Sequence, residues 1–132
     1  MTPQAGTDIV SVARIAALID EHGPTFLTRW FTPAEITYCT GKAWPAQHFA
    51  ARLAAKEAVA KALRARGDQP LPWLDIEITN DEHGAPSVQL SGRTLESATR
   101  DGAGPIAVSL SHCDEYATAV ALVELTPRTS ST

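Results

Sequence analysis

Hydrophobic and polar positions recur with two different periods along the chain, one typical of helices and one typical of strands. Near the amino terminus the pattern predicts a short strand over Thr7–Val12. A helix is predicted over Val12–Glu21, because the sequence His22-Gly23-Pro24 is a strong helix breaker. A short helical segment over Phe26–Phe31 follows. The chain therefore opens with one strand and then turns helical.

The middle of the chain carries the strongest helix signals. The sequence Thr32-Pro33-Ala34-Glu35 has the form of a capping box, with proline at the first helical position, and predicts a helix that Gly41 ends. The longest helix is predicted over Ala46–Arg66 and would extend for about 31 Å. Gly67 is the type of residue that follows a helix carboxyl end.

The second half of the chain alternates apolar and polar residues, which is typical of half-buried strands. Its predicted elements are strands at Leu74–Ile78, Ser87–Ser91, Ile106–Ser111 and Ala117–Leu125, and a weak helix at Thr94–Arg100. This order predicts an α+β fold, in which a mostly antiparallel sheet packs against the longest helix. We expect one domain over residues 1–126 and a disordered Ser/Thr-rich tail over residues 127–132.

Composition excludes several classes of protein. The 132 residues are 44% hydrophobic and 20% charged, which excludes a disordered or fibrous chain. No apolar run approaches the roughly 18 residues of a membrane-spanning helix, and the amino terminus does not have the pattern of a signal peptide. We expect Cys39 and Cys113 to be two buried thiols in a reducing compartment. The expected location is therefore the cytoplasm, without a membrane partner.

The charge of the chain is unevenly distributed. The formal net charge is −4, which argues against nucleic acid as a partner. Residues 46–66 nevertheless contain five basic side chains and one acidic side chain, a net charge of +4. A basic helix on an acidic protein indicates a local site for an anion.

Lys56 occupies an unusual position in this helix. At 100° per residue it falls in the middle of an apolar stripe formed with Leu53, Ala60 and Leu63. An unpaired charge is expensive in a protein core, so this lysine either extends past its neighbours to solvent or meets a buried anion. Both possibilities stay open at this point.

Two carboxylates are candidates for a shared site. Asp8 lies in an otherwise apolar strand start and could simply cap a turn. If the strand packs against the long helix, however, Asp8 and Glu57 converge, and their mutual repulsion favours a cation between them. Two hard oxygen ligands with water suit Mg²⁺, which usually completes its coordination with substrate phosphates. Lys61 lies one turn after Glu57 and could hold such a phosphate, so this site suggests phosphoryl or diphosphate transfer.

The sequence Ser111-His112 ends a predicted strand. Strand alternation directs the two side chains to opposite faces, so they do not form a hydrolase pair. They either satisfy a turn or donate hydrogen bonds to phosphate oxygens.

Together these segments resemble the holo-acyl-carrier-protein synthase family of 4′-phosphopantetheinyl transferases, from Gly6 to about Glu124. The resemblance rests on motifs that occur in the family's order and at the family's separations: Gly6-Thr7-Asp8-Ile9-Val10 with Arg14-Ile15, Phe31-Thr32-Pro33-Ala34-Glu35, Ala51-Arg52-Leu53-Ala54-Ala55-Lys56-Glu57-Ala58, Asn80-Asp81-Glu82-His83-Gly84-Ala85-Pro86, Val108-Ser109-Leu110-Ser111-His112 and Glu115-Tyr116-Ala117.

The resemblance implies transfer of phosphopantetheine from coenzyme A to a serine of an apo acyl carrier protein, in fatty-acid or polyketide synthesis. It implies a homotrimer with its sites at subunit interfaces, and Mg²⁺, replaceable by Mn²⁺, held by Asp8 and Glu57. With Lys61, these two residues would form the catalytic group, and Glu57 or a metal-bound water would take the serine proton. Arg14 would meet the acidic carrier. The side chains expected at coenzyme A are Arg52, Lys56, Lys61, Arg64, Pro86, Ser111 and His112.

Two departures from the family pattern affect these expectations. The family usually has a glycine pair after the long helix, whereas residues 64–70 contain only Gly67, and Arg64 and Arg66 could supplement phosphate contacts there. An earlier family glycine is also missing before Gly6. The alternative to an enzyme is a non-catalytic scaffold that binds coenzyme A or another nucleotide, and the retained carboxylates argue against it.

Overall fold

The computed structural model describes residues 2–64 and 73–126, which form helices and antiparallel strands in a single α+β unit. The elements follow in this order: β1 (Thr2–Ser11), α1 (Val12–His22), α2 (Pro24–Trp30), α3 (Pro33–Thr40), α4 (Pro45–Ala62), a 3₁₀ turn (Trp73–Asp75), β2 (Ile76–Asn80), β3 (Pro86–Leu90), α5 (Gly92–Arg100), β4 (Ala103–His112) and β5 (Tyr116–Leu125). The α+β prediction is confirmed.

The strands form two antiparallel sheets. A three-stranded sheet has the order β1-β5-β4, and β2 and β3 form a separate hairpin. Strand β1 pairs with β5 along its whole length, from Thr2 opposite Leu125 to Ser11 opposite Tyr116. It is therefore longer at its start than the predicted Thr7–Val12, because pairing along β5 overrides the weak strand preference of Pro3 and Gly6. An edge strand such as β1 tolerates proline.

Helix α4 packs across the three-stranded sheet and supplies most of the core. Its buried face is built largely from alanines, including Ala54, Ala55, Ala58 and Ala62, all without exposed surface. Small side chains bring the helix backbone close to β1. At Gly6 the approach is so tight that an added Cβ would lie 1.9 Å from the carbonyl oxygen of Ala58. Gly6 thus sets the distance between the strand and the helix.

The carboxyl end of α4 differs from the prediction. The helix ends at Ala62, not at Arg66. The amide of Leu63 donates to Val59 O at 2.9 Å, and the amide of Arg64 donates to Lys61 O at 3.0 Å, which tightens the last turn. Arg64 then adopts a φ of 57°, which is a left-handed conformation. The sequence predicted a glycine for this role, Gly67, three residues later. Arg66 and Gly67 lie outside the described residues.

The cysteines do not form the expected buried pair. Cys39 is fully buried on α3, and burial raises the pKa of its thiol to about 12. Cys113 is exposed because it lies in the turn between β4 and β5, where its amide donates to Tyr116 O at 2.9 Å. Both thiols are free.

Within residues 2–64 and 73–126, no helix combines the length and the apolar character needed to cross a membrane. The predicted tail over residues 127–132 lies outside this range, so its disorder stays a prediction.

Candidate functional site

Asp8 and Glu57 converge where β1 crosses α4. Asp8 lies two residues after Gly6 and pairs with Ala119, whose side chain is buried, so Asp8 faces the helix. Lys61, one turn after Glu57, donates from Nζ to Asp8 Oδ1 at 3.3 Å and to Thr7 O at 2.9 Å. The side chain of Asp8 is 14% exposed and that of Lys61 is 57% exposed. This cluster lies at the surface, with its acid recessed and its ammonium open to solvent.

The electrostatics of this pair indicate a site for a cation. Burial raises the pKa of Glu57 to about 7, with further contributions from a hydrogen bond to Asp8 and from the charge of Asp8. Lys61 and Arg14 partly oppose this effect. The second carboxylate oxygen of Asp8, Oδ2, is buried and has no hydrogen-bond partner among the described residues. Two hard oxygen donors that repel each other, one of them unsatisfied, fit a divalent cation such as Mg²⁺.

Arg14 stands at the edge of the same cluster. It lies in the first turn of α1, where its amide donates to the Ser11 side chain at 3.2 Å and so caps the helix. Its side chain is exposed, and its charge acts on Glu57. A positive side chain at the rim of an acidic pair can meet an incoming anion or an acidic partner surface.

Lys56 does not lie where the resemblance places it. Its side chain has no exposed surface and points into the core, where Nζ pairs with Glu35 Oε1 at 2.7 Å. The remaining two protons go to Trp73 O at 2.8 Å and Ile76 O at 2.7 Å. All three protons are therefore engaged within the core, so this structure does not bring Lys56 to the carboxylate pair, and its contact with a phosphate stays a prediction.

The apolar position of Lys56 left open whether this lysine reaches solvent or meets a buried anion. Glu35 is that buried anion. Its Oε1 accepts the Thr32 amide at 2.8 Å, which completes the predicted capping box, and its Oε2 accepts the Ile78 amide at 2.9 Å. Burial lowers the pKa of Lys56, whereas the charge of Glu35 and its hydrogen bond to Lys56 oppose this shift. Because Glu35 bonds α3, α4 and β2 at once, the pair is a structural centre of the fold.

A second group of basic side chains surrounds Tyr38. The Arg52 guanidinium stacks 3.9 Å from the centroid of the Tyr38 ring and donates from Nη2 to Asn80 Oδ1 at 2.5 Å. Lys42 Nζ lies 4.5 Å from the same centroid. Arg52 is only 4% exposed, and its Nε has no hydrogen-bond partner among the described residues. The structure thus joins the predicted Arg52 to Tyr38 and Lys42, which sequence patterns did not single out.

His112 belongs to this second group, whereas Ser111 faces the other way. The strand register pairs His112 with Ala117, which is fully buried, and Ser111 with the exposed Thr118. The two side chains therefore lie on opposite faces of the sheet, as alternation predicts. The ring of His112 lies 5.0 Å from that of His48 on α4, a residue that the sequence offered no reason to select.

Pro86 and Arg64 are placed at different distances from these groups. Pro86 begins β3 directly opposite Asn80, the acceptor for Arg52, so it borders the second group. Arg64 instead donates from Nε to Gln4 Oε1 at 2.7 Å. Gln4 precedes Asp8 by four residues on β1, about 13 Å along the strand, so the structure does not bring Arg64 to either group.

The sequence is similar to one family along most of its length. The sequence model of the 4′-phosphopantetheinyl transferase superfamily matches residues 4–121. The holo-[acyl-carrier-protein] synthase of Moorella thermoacetica is 50% identical over 121 residues, which cover 92% of this chain and 93% of the relative. The same-named protein of Protochlamydia amoebophila is 46% identical over 123 residues, which cover 92% of this chain and 98% of the relative.

Solved structures show the same architecture. The Helicobacter pylori holo-[acyl-carrier-protein] synthase in complex with coenzyme A has a TM-score of 0.79 at 34% identity, covering 91% of this chain and 99% of that one. The ACPS–coenzyme A complex of Chronobacterium ammoniagenes has a TM-score of 0.82 at 28% identity, covering 96% of this chain and 99% of that one.

Proposed function

Because the chain belongs to the 4′-phosphopantetheinyl transferase superfamily, we propose that it moves the phosphopantetheine arm of coenzyme A to a serine of an apo acyl carrier protein. The nucleotide product is adenosine 3′,5′-bisphosphate. The observation that supports this most directly is the convergence of Asp8 and Glu57, with Lys61 beside them at the surface. This arrangement provides ligands for a cation and a positive charge for a diphosphate, and the serine nucleophile comes from the carrier.

Asp8 and Glu57 are the residues that would hold Mg²⁺, or Mn²⁺ in its place. A divalent cation held there would supply positive charge to offset the negative charge of a diphosphate. The exposed ammonium of Lys61 carries three donors, two of which now go to Thr7 O and Asp8 Oδ1, so it can turn toward a phosphate oxygen. Glu57, or a water bound to the cation, would accept the serine proton.

The remaining coenzyme A contacts are proposed for the second group. Arg52 and His112 belong to this group and Pro86 borders it, and the basic side chains would bind phosphate oxygens, whereas Ser111 lies on the opposite face of the sheet. Arg64 bonds Gln4 in the single chain. It would contact the nucleotide where assembly of the subunits brings the two together.

We propose a homotrimer whose contacts cover the outer face of the three-stranded sheet. This face exposes three large apolar side chains: Ile9 is 61%, Val120 39% and Leu122 49% exposed. Exposed apolar patches of this kind mark interaction surfaces. Sedimentation equilibrium measures the mass directly: Leu122→Lys should shift the trimer toward monomer, whereas Leu95→Lys, at an exposed leucine of α5, should not.

Arg14 is the proposed contact for the acidic carrier. Reversing its charge with Arg14→Glu should raise KM for the carrier at least tenfold, because a rim charge sets encounter with a charged partner. Binding of coenzyme A should change little. Arg29→Glu, on α2, is the control for charge reversal on a neighbouring helix. An equal loss of coenzyme A affinity in Arg14→Glu would show that Arg14 does not act in docking.

The decisive experiment is the mass of an apo acyl carrier protein incubated with the protein, coenzyme A and Mg²⁺. Fatty-acid and polyketide carriers are compared in parallel. We expect the mass to rise by one phosphopantetheine arm, and Asp8→Asn to abolish this rise while leaving the unfolding midpoint nearly unchanged. Asp20→Asn, on the exposed face of α1, is the matched control and should retain activity.

Two results would contradict the proposal. Coenzyme A binding without any change in carrier mass would identify a non-catalytic scaffold. An unchanged rate in Asp8→Asn would remove the carboxylate pair from the reaction. We place this activity in the cytoplasm, a reducing compartment in which the exposed Cys113 stays a free thiol.

A further inference from the structure

Asn80 stands at the junction of the β2–β3 hairpin and helix α4. It is the last residue of β2, and its strand partner is Pro86, the first residue of β3. Its Oδ1 accepts a hydrogen bond from Arg52 Nη2 at 2.5 Å, and its Nδ2 donates to Gly84 O at 2.9 Å. One side-chain amide therefore bonds a helix through its oxygen and a turn through its nitrogen.

The turn held in this way consists of residues 81–85, all of which are exposed. Its shape is set from within, because Asp81 Oδ1 accepts the amides of His83 at 2.8 Å and Ala85 at 2.9 Å. The amide of Asp81 donates to Ala85 O at 2.8 Å, and Gly84 adopts a φ of 85°, which favours glycine. These bonds lie within the turn, so they do not fix its position relative to α4.

Arg52 provides the fixed end of the connection. It is 4% exposed, and its guanidinium lies 3.9 Å from the centroid of the Tyr38 ring. A planar guanidinium that is buried and stacked on a ring has few alternative orientations, so its Nη2 donor has a set direction. Arg52 also precedes Glu57 by five residues on α4, about 7.5 Å along the helix axis. The bond from Arg52 thus fixes the turn relative to the helix that carries Glu57.

The connection matters for binding because both of its ends border the basic group around Tyr38. Under the function proposed above, Arg52 and Pro86 contact coenzyme A, and the turn is the segment that leads from Asn80 to Pro86. An exposed turn that is not tied to the helix has several positions open to it. A ligand that has to order such a segment binds less tightly than a ligand that meets the segment already in place.

We propose, on the basis of that function, that Asn80 is a positioning residue whose amide joins Arg52 to the β2–β3 turn, so that coenzyme A meets the two as one preformed surface. Asn80 acts through its two hydrogen bonds and not by touching the ligand. Its loss leaves the turn formed but free to move relative to α4.

The first test measures coenzyme A binding to the assembled protein by calorimetry, with the carrier absent. If the untied turn occupies its binding position about one-tenth of the time, the Kd of Asn80→Ala rises about tenfold. Gln89→Ala removes an exposed side-chain amide from β3 of the same hairpin, and as the matched control it should bind like wild type.

The transfer assay separates binding from chemistry. Asn80→Ala should raise KM for coenzyme A by about the same factor and leave kcat unchanged, because the bound state still reaches the same arrangement beside Glu57. A fall in kcat with an unchanged Kd would overturn the proposal, because Asn80 would then act on the reaction and not on the preformed surface.

A double-mutant cycle tests whether Asn80 acts through Arg52. Arg52→Met removes every donor of the guanidinium and keeps an unbranched side chain against Tyr38. In this background Asn80→Ala should leave the Kd nearly unchanged, because no bond between helix and turn is left to lose. The same loss of affinity in both backgrounds would overturn the proposal.

Limited proteolysis tests the bond from Asn80 to the turn. Asn80→Asp keeps an acceptor for Arg52 and removes the donor to Gly84 O. In the free protein, a glutamate-specific endopeptidase should therefore cleave after Glu82 faster than in wild type, and equally fast in Asn80→Asp and Asn80→Ala. Wild-type cleavage rates in both variants would overturn the proposal, because the amide would then not hold the turn.

Folding and the proposed function are checked separately. Asn80→Ser replaces Asn80→Ala if urea unfolding shows that the latter does not fold. Calorimetry and proteolysis do not depend on transfer. A wild-type protein that binds coenzyme A without modifying the carrier contradicts the proposed function, and these two measurements still decide the role of Asn80.

Discussion

The substitution Gly6→Ala should separate β1 from α4 and thereby disable the carboxylate pair. The added Cβ would lie 1.9 Å from Ala58 O and 2.8 Å from the Ala62 amide nitrogen, both backbone atoms of α4. Since real Cβ contacts essentially never fall below 3.0 Å, strand and helix must move apart by at least about 1 Å. Asp8 follows Gly6 by two residues on the same face, so this movement changes its distance from Glu57.

We expect two measurable effects of this movement. Overpacking of a core costs about 1–3 kcal/mol, so urea unfolding should show a loss of stability of that size. A displacement of about 1 Å among reacting groups can lower a rate about 100-fold, so kcat/KM for carrier modification should fall by that order in the folded protein.

Gly104→Ala is the matched control, because it makes the same chemical change in the same sheet. Among the residues that the structure describes, an added Cβ at Gly104 meets only Glu124 O, at 3.7 Å, which is ordinary van der Waals contact. This variant should keep nearly wild-type stability and rate. Wild-type activity in Gly6→Ala, or an equal loss in Gly104→Ala, would refute the argument that the close approach at Gly6 aligns the site.

Two further predictions concern buried charge. Lys56→Met leaves Glu35 buried without its cation and should cost about 3–5 kcal/mol of stability by urea unfolding, while the double variant Lys56→Met/Glu35→Gln recovers part of this loss. A normal stability with a raised KM for coenzyme A would instead restore Lys56 as a phosphate ligand. For Glu57, the folded-state pKa of about 7 lies above the ordinary value of 4.5, so its contribution to stability is fully present below pH 4.5 and is lost as the pH rises through 7. Without divalent cations, Glu57→Gln should therefore gain in melting temperature relative to wild type between pH 5 and pH 8, and a difference that is constant over this range would contradict the assignment.

Local signals in the sequence were sufficient where the interacting residues are neighbours. The capping box of Thr32 and Glu35 involves residues three apart, and the structure has it as predicted. The placement of Ser111 and His112 on opposite faces follows from strand alternation in the same way. The sequence predicted the convergence of Asp8 with Glu57 only on the condition that β1 packs against α4. Local patterns do not show which strand packs against that helix.

Other features depend on contacts between distant segments and on backbone conformation. The apolar position of Lys56 indicated a buried anion, but the sequence does not show that Glu35, 21 residues earlier, is that anion. The end of α4 was misplaced because Arg64, a residue that rarely adopts positive φ, does so here. His48 is a single histidine on a helix, and the packing of β4 and α3 gives it its ring partners, His112 and Tyr38.

Within residues 2–64 and 73–126, the hairpin of β2 and β3 shares no strand pairing with the three-stranded sheet; Ile76 and Ile78 anchor it in the core against α4, and side-chain bonds fasten it to the helices. Glu35 holds the Ile78 amide, Thr32 donates to Glu77 Oε2 at 2.5 Å, and Arg52 holds Asn80. Because Ile76 and Ile78 are buried in the same core as α4 and β5, the amides of the hairpin should exchange as slowly as those of the larger sheet.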